Sequence, residues 1–508
     1  MIISSFLLII LNLIKIIKLQ DLIIELKCLE SKCLCELIDN STFNIQCNNQ
    51  LLKFDNPLNK ILSYDHQINK FLFNNSQFLN SQIPNGFFEH LRINELIINN
   101  SRINSILNKS FIGLFQINKI IFNGLNLSHF ESESFLGLNI SDLDLVNCNI
   151  DDKFMQENSH ALKNLKTLDH FTLTHNKITY LDHKWFSNLK ITSLFNLSHN
   201  YIRKIDIDTF KSMTNLQRLN LKFNNFTKCF DQLPLLHLKT SLTRLILSHN
   251  KLTCIPVFDR FIRMKILDLS NNQIETLDYN VFQNLINLSV LNLNSNKLRF
   301  ICSDCFNKNL LYLKLENNYL SRVPNVRHLS SLILLSLKNQ NEKLKLINNY
   351  QFDRVNSVLN LKVDLDSNDL VYFESKSFCS KLNSYLDNVT FSFKTFINMI
   401  NLNKCLFSEL THGSNDVVRV FVNDEIKEQK GDNNFCTCNF KNYLELNKII
   451  LYGIKCYDEL VCDRNETIYE NLCSKQEEDF NCENEAVKFD FTFKKIFIFV
   501  CIYLLCFK

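Results

Sequence analysis

Most of what marks a chain for a particular chemistry is missing here. The 508 residues contain no G-x-S-x-G, no H-E-x-x-H and no Walker-type glycine loop. A nucleophile elbow, a zinc-peptidase helix and a phosphate cradle are therefore all excluded, and neither an enzyme nor a bound cofactor is expected. Charge of one sign is lacking too. A net charge of +4 on so long a chain, with no basic stripe interleaved with aromatics, excludes nucleic acid as the partner. No apolar run reaches the ~20 residues that a helix needs to cross a bilayer. The carboxy-terminal run Ile496 to Phe507 has twelve. Glycine and proline are scarce, seven and five, against abundant Asn, Ile, Lys and Phe. That bias is the one AT-rich coding produces, and it lowers the weight of any motif built on Asn.

What is present is a frame. Asn recurs at Asn176, Asn200, Asn224, Asn250, Asn272, Asn296, Asn318 and Asn368, mostly 22 to 26 residues apart. Apolar residues stand three and five positions before it and two after, as in "LTRLILSHNKL". The alternating pair Leu245 and Leu247 turns one side of a short strand inward while Arg244, Ile246 and Ser248 face out. Stacked strands of this kind make a parallel sheet. Where the chain leaves that sheet, interior backbone groups lose their partners, and a buried amide, both donor and acceptor, can satisfy them. Earlier units carry Ser76, Ser101, Leu125 and Cys148 in the same slot, so the amino-terminal ladder is expected to be less regular, with Cys148 a small buried substitute.

The pattern L-x-x-L-x-L-x-x-N-x-L at this period resembles the leucine-rich repeat. Fourteen units, beginning near Ile68, Ile93, Ile117, Ile140, Leu168, Thr192, Leu216, Leu242, Met264, Leu288, Leu310, Leu332, Asn360 and Leu386, cover about two-thirds of the chain. Position nineteen holds Phe111, Phe135, Phe186, Phe210, Phe282, Phe306 and Phe378, which reads as an aromatic core spine. The resemblance implies an α/β horseshoe solenoid with a parallel sheet on its concave face and disulfide-bonded end caps. In such a solenoid length adds repeats and not cores, so one elongated domain is expected over 68–425.

Nineteen cysteines point to an oxidising compartment. Cys28, Cys33, Cys35 and Cys47, spaced C-x4-C-x-C-x11-C, look like the amino-terminal cap of extracellular members, over 21–67. The resemblance implies bonds from Cys28 to Cys35 and from Cys33 to Cys47. Over 426–483 the chain resembles the carboxy-terminal cap, which carries over Cys436 to Cys456 and Cys438 to Cys473. The tryptophans common in that cap are absent, and Cys462 and Cys482 are extra. Cys379 and Cys405 share position twenty of successive units and are expected to pair; Cys229 and Cys254 are candidate partners. Cys302 and Cys305 form a lone C-x-x-C without the second ligand pair that zinc needs, which leaves a local disulfide or free thiols.

Residues 1–20 read as a signal peptide, although no basic residue precedes the apolar run; an uncleaved anchor is the alternative. The tail 484–508, with small or polar residues at Asn484 to Ala486, a spacer and a short apolar run, matches either a lipid-anchor signal or a truncated span. Sequons stand at Asn40, Asn74, Asn99, Asn108, Asn126, Asn139, Asn196, Asn225, Asn287, Asn388 and Asn465. In so Asn-rich a chain they agree with secretion without proving it.

Extracellular leucine-rich-repeat proteins with both caps include chaoptin-like and connectin-like adhesion proteins and Toll-like receptor ectodomains. The resemblance therefore implies a cell-surface or secreted protein that binds a protein ligand, a receptor or a second copy of itself, held to the membrane through its tail. Adhesion or recognition is the first expectation; a Toll-like receptor fragment and a secreted matrix or inhibitory protein are the rivals. For the binding face the sequence nominates Arg218, Lys222, Phe223, Arg244 and Ile246, cations around an aromatic and an aliphatic residue on adjacent strands. His175, His199 and His249 share position eight of three units, with Phe223 in the same slot between them. That set reads as a metal-binding or pH-sensitive ladder, or as ordinary surface.

Overall fold

A computed structural model describes residues 33–39, 42–52, 67–227 and 233–342 apart from 257, 303, 304 and 327; it also describes 344, 346–347, 362–365, 367–368, 372–373, 388–391, 418–422 and 449–452. The chain divides into two compact units, Met1–Leu269 and Ser270–Lys508. Both follow one plan, a parallel-sheet solenoid of about 12 turns in all. The nominations at Cys28, Cys229, Phe378, Cys379, Cys405, Cys436, Cys438, Cys456, Cys462, Cys473, Cys482, Asn40 and Asn465, with the signal and tail segments, lie outside the described residues.

In the first unit the strands Gln67–Asn74, Ile93–Asn99, Lys119–Asn123, Asp142–Val146, Thr167–Thr172, Lys190–Asn196, Arg218–Asn220, Arg244–Ile246 and Ile266–Asp268 pair in parallel, in chain order. The second unit continues the pattern from Val290–Asn292 to Ile449–Tyr452. Alternation does the sorting. Leu219, Leu221, Leu245, Leu247, Leu267 and Leu269 are buried to 1% exposure or less, while Arg218, Asn220, Lys222, Arg244 and Ile246 between them are not. Each buried leucine contributes about 2 kcal/mol of transfer free energy.

An antiparallel hairpin, Leu34–Asp39 with Thr42–Asn48, closes the amino-terminal end, and its second strand pairs in parallel with Gln67–Asn74. Cys33 is disulfide-bonded to Cys47 across that hairpin, and Cys35 is disulfide-bonded as well. The hairpin covers the sheet edge that an open solenoid would otherwise leave to pair with another chain.

The motif asparagines form a hydrogen-bond ladder through the core. Asn200 Nδ2 donates to Leu173 O at 2.8 Å and Leu197 O at 3.1 Å, and its Oδ1 accepts from Ile178 N at 3.2 Å. Asn224 repeats this with Leu197 O, Leu221 O and Ile202 N, and Asn250 with Leu221 O, Leu247 O and Phe226 N. Each amide thus ties its own turn to the one before. In the second unit Gln340 takes the same part, donating to Leu315 O and Leu337 O and accepting from Leu320 N. The sequence frame skips that turn, because it counts only Asn. In the amino-terminal units Ser76 donates to Cys47 O, and the Cys148 thiol reaches Phe122 O and Val146 O, both at 3.3 Å. Cys148 is a free, fully buried thiol, and burial pushes its pKa up to about 12.

Just before that slot the backbone turns left-handed in unit after unit. Asn147, His175, His199, Phe223 and His249 have φ from 51° to 57°, and Asn271, Ser295, Asn317 and Asn339 follow in the second unit. Asn tolerates this region; bulky side chains are strained in it. Gly124 fills the slot once, at φ 68°, where an added Cβ would lie 2.2 Å from Asn100 Oδ1.

The phenylalanine column stacks in part, for Phe186 and Phe210 instead meet Phe195 edge-on. Phe88, Phe111 and Phe135 lie 5.7 and 5.9 Å apart with nearly parallel rings, and Phe282 meets Phe306 at 5.9 Å. The spine breaks where Asn158, on the helix Asp152–Leu162, replaces phenylalanine and accepts from Phe130 N at 2.8 Å. Asp151 caps that helix through Phe154 N. Amides also ladder along the sheet, Asn118 to Asn94 to Asn69 to Asn44, with each Nδ2 donating to the next Oδ1.

Asn200→Ala leaves Leu173 O and Ile178 N buried without a partner and removes one of the two amide bonds to Leu197 O, which Asn224 still holds, at about 1 kcal/mol or more for each lost bond. The unfolding free energy should fall by about 3 kcal/mol in urea titration of the purified chain, whereas Asn200→Gln should recover part of the loss, as Gln340 shows. Cys148 should be inert to a thiol reagent in the folded protein and react at once in denaturant; rapid labelling under native conditions would contradict its burial.

Candidate partner-binding surface

The outward side of the first unit's sheet is a set of columns fixed by strand register. One runs Lys70, Glu95, Lys119, Asp142, His170, Leu194, Arg218, Arg244. Its amino-terminal part alternates in charge, so neighbours attract across strands. Lys119 Nζ meets Asp144 at 3.0 Å. Partial burial works against the Lys119 charge, but Asp144, Asp142 and Glu95 more than offset it and hold its pKa above the usual value.

The nominated residues fall into two groups. Arg218, Arg244 and Ile246 lie on adjacent strands, Arg218 opposite Arg244 and Asn220 opposite Ile246. Arg218 is already engaged within the chain. It is half-buried, and its Nη2 donates to His170 Nε2 at 3.2 Å and to Ser193 Oγ at 2.9 Å. His170 Nδ1 in turn meets Asp142 at 2.5 Å. An imidazole that donates from Nδ1 to Asp142 can accept from Arg218 at Nε2, which links the three side chains across the sheet. Arg244 is exposed and Ile246 half-buried beside it.

Lys222 and Phe223 belong to the rim of the sheet. Phe223, 36% exposed, stands in the left-handed slot between His199 and His249. The four rings His175, His199, Phe223 and His249 stack in sequence, with centroids 4.1, 4.3 and 4.0 Å apart and planes 10°, 27° and 24° from parallel. Lys222 Nζ lies 4.8 Å from the Phe223 centroid. Burial first, and then the neighbouring His175, Lys222 and His249, lower the pKa of His199; burial and Lys222 lower that of His249, against the pull of Asp268.

A second cluster escapes sequence reading because its members come from different turns. Asp182, His183 and Asp206 converge within 4.8 Å. The arrangement is locally satisfied: Asp182 caps Lys184 N, Asp206 accepts from Ile207 N, and His183 Nδ1 bridges the two carboxylates. The bond from His183 holds Asp206 below the usual carboxylate range. Of the cysteines, Cys302 and Cys305 are bonded to each other, and Cys254 is disulfide-bonded. Among the sequons Asn126, Asn139 and Asn287 are exposed, whereas Asn74, Asn99, Asn108, Asn196 and Asn225 are half-buried. Asn74 and Asn99 are register neighbours on the outward face, and Asn388 opens a strand of the second unit.

A family model described as leucine rich repeat matches residues 240–298. The fold is a leucine-rich repeat solenoid. No curated protein matches the chain. Solved structures that resemble it include a TLR13–ssRNA13 complex, at 19% identity and TM-score 0.44 over 67% of this chain and 50% of that one. An LRIM1/APL1C complex follows at 17% and 0.48, over 77% and 69%. The Drosophila Toll–Spatzle complex follows at 14% and 0.41, over 71% and 65%. The chain thus spans about half the length of the first of these. Within each strand the inward side chains are committed to the core, and the outward ones are not part of it.

The imidazole row makes stability fall with acid. Unfolded, His199 and His249 take protons near the usual 6.5, whereas folded they resist until lower pH. Their contribution is therefore complete above about pH 6.5 and lost as pH drops through the folded values. The urea midpoint should fall between about pH 7.5 and 5.5, and fall less in His199→Asn/His249→Asn; an equal fall in that variant would remove these residues as the cause.

Proposed function

We propose that the protein is an extracellular or cell-surface recognition protein that binds a protein ligand through the outward face of its sheet, in adhesion or a related contact. The observation that carries this reading is the contrast between columns. Inward positions are uniformly apolar, whereas the outward column Asp144, Thr172, Asn196, Asn220, Ile246, Asp268 mixes acidic, amide, hydroxyl and aliphatic side chains. Outward side chains, whose identity core packing does not dictate, can be specified by a partner, and a broad sheet suits a protein surface better than a small molecule. Disulfide bonds at Cys33, Cys35, Cys47, Cys254, Cys302 and Cys305 support an oxidising compartment.

Arg244 is the anchor in this reading, exposed beside Ile246, while Arg218 is held back by His170. Full-length protein applied to non-expressing cells, and aggregation of cells that express it, read recognition and homophilic binding. Arg244→Glu with Ile246→Asp should lower bound protein at least tenfold at unchanged secretion. Unchanged binding would place recognition away from these strands. For attachment, phospholipase should release surface-expressed protein that lacks the run Ile496 to Phe507; an intact carboxy-terminal peptide recovered from membranes would reject the lipid anchor.

A further inference from the structure

We propose that the stacked row His175, His199, Phe223 and His249 is a docking strip for an acidic polypeptide segment, distinct from the sheet face around Arg244. The fold does not ask for these rings. Their slot is left-handed, and Asn serves it at Asn147 and Asn271. Phe223, a bulky residue at φ 53° that remains 36% exposed, holds a strained conformation without the return of full burial. Strain of that kind in an exposed side chain points to use.

The geometry selects the occupant. With centroids about 4 Å apart, His199 and Phe223 have both faces covered, and the row turns ring edges to solvent. A nucleobase or a sugar ring would need a free face to stack on. A transition metal would need converging nitrogen lone pairs, and parallel imidazoles direct theirs side by side. Ring edges carry the positive end of the aromatic quadrupole, and imidazole edges add N–H donors. Lys222 stands 4.8 Å from the Phe223 centroid, and exposed Lys177 and Lys251 each follow a row histidine by two residues. Donor edges flanked by ammonium groups complement carboxylates. As pH falls His199 and His249 gain charge against Lys222 and the neighbouring rings, with Asp268 assisting at His249, so the strip becomes more cationic before the carboxylates of a partner titrate near about 4.

This inference rests on the protein-binding reading and assigns it a second surface. The probe is a fluorescein-labelled deca-glutamate peptide, titrated by anisotropy against the full-length protein and its Asn225→Gln form, in which no glycan borders the row. Affinity should rise several-fold from about pH 7.5 to 5.5. It should fall at least tenfold in His175→Asn/His199→Asn/Phe223→Asn/His249→Asn, where every replacement is the residue this column already uses, and in Lys222→Glu, whose rings are intact. Arg244→Glu should leave peptide binding unchanged, so failure here is separable from failure of the sheet-face reading. Equal binding by the four-Asn variant, loss of affinity on acidification, or tighter binding of oligo-dT or heparin than of the peptide would each overturn the proposal.

Discussion

From Asn176 to Asn368, one side-chain amide per turn orders this architecture. Stacked strands satisfy their backbone groups sideways, but at the end of each strand the chain must leave the sheet inside the protein, where no water can pair it. Asn200, Asn224 and Asn250 supply what is missing, each reaching back to the preceding turn as well as its own. The hydrogen bonds therefore do two tasks: they offset the desolvation of the exit and they set turn against turn. Register, the leucine columns and the phenylalanine stack all follow from that spacing. Gln340 shows how far the requirement is chemical, for a side chain one methylene longer makes the same bonds.

That requirement was legible because it recurs. The Asn frame, the strand alternation and the stack of Phe111 on Phe135 could be read by counting, since each repeats at a period longer than chance supports. What could not be read was conformation or contact across turns. The left-handed slot was invisible because Asn is abundant throughout the chain, so its recurrence before the motif residue carried little weight. The Arg218 to His170 bond joins residues 48 apart and passes over Leu194, and no local pattern announces it. Phe88 sits two places beyond the position counted for the spine and still stacks on Phe111, because the first turn carries its ring on a differently wound loop.

The surface divides into residues that the chain has used internally and residues it has not. Arg218, half-buried beneath its bonds to His170 and Ser193, stiffens the sheet face. Arg244, its register neighbour, is exposed. Two arginines of equal sequence standing therefore differ in what they offer: one is bonded within a side-chain network, while the other keeps its guanidinium donors accessible for a new pairing. The Asp182, His183 and Asp206 cluster falls on the internal side of the same division, its carboxylates already engaged by backbone N–H groups.

The left-handed column has a genetic side. Histidine codons and two of the serine codons each lie one base from those of asparagine, and all three residues occupy this slot, at His249, Ser295 and Asn271 among others. The backbone there is set by its neighbours and accepts any of them. An imidazole can thus enter or leave the row from asparagine in one mutational step, with little effect on whether the protein folds, and the rim of the solenoid can vary in length and charge while its interior is held fixed.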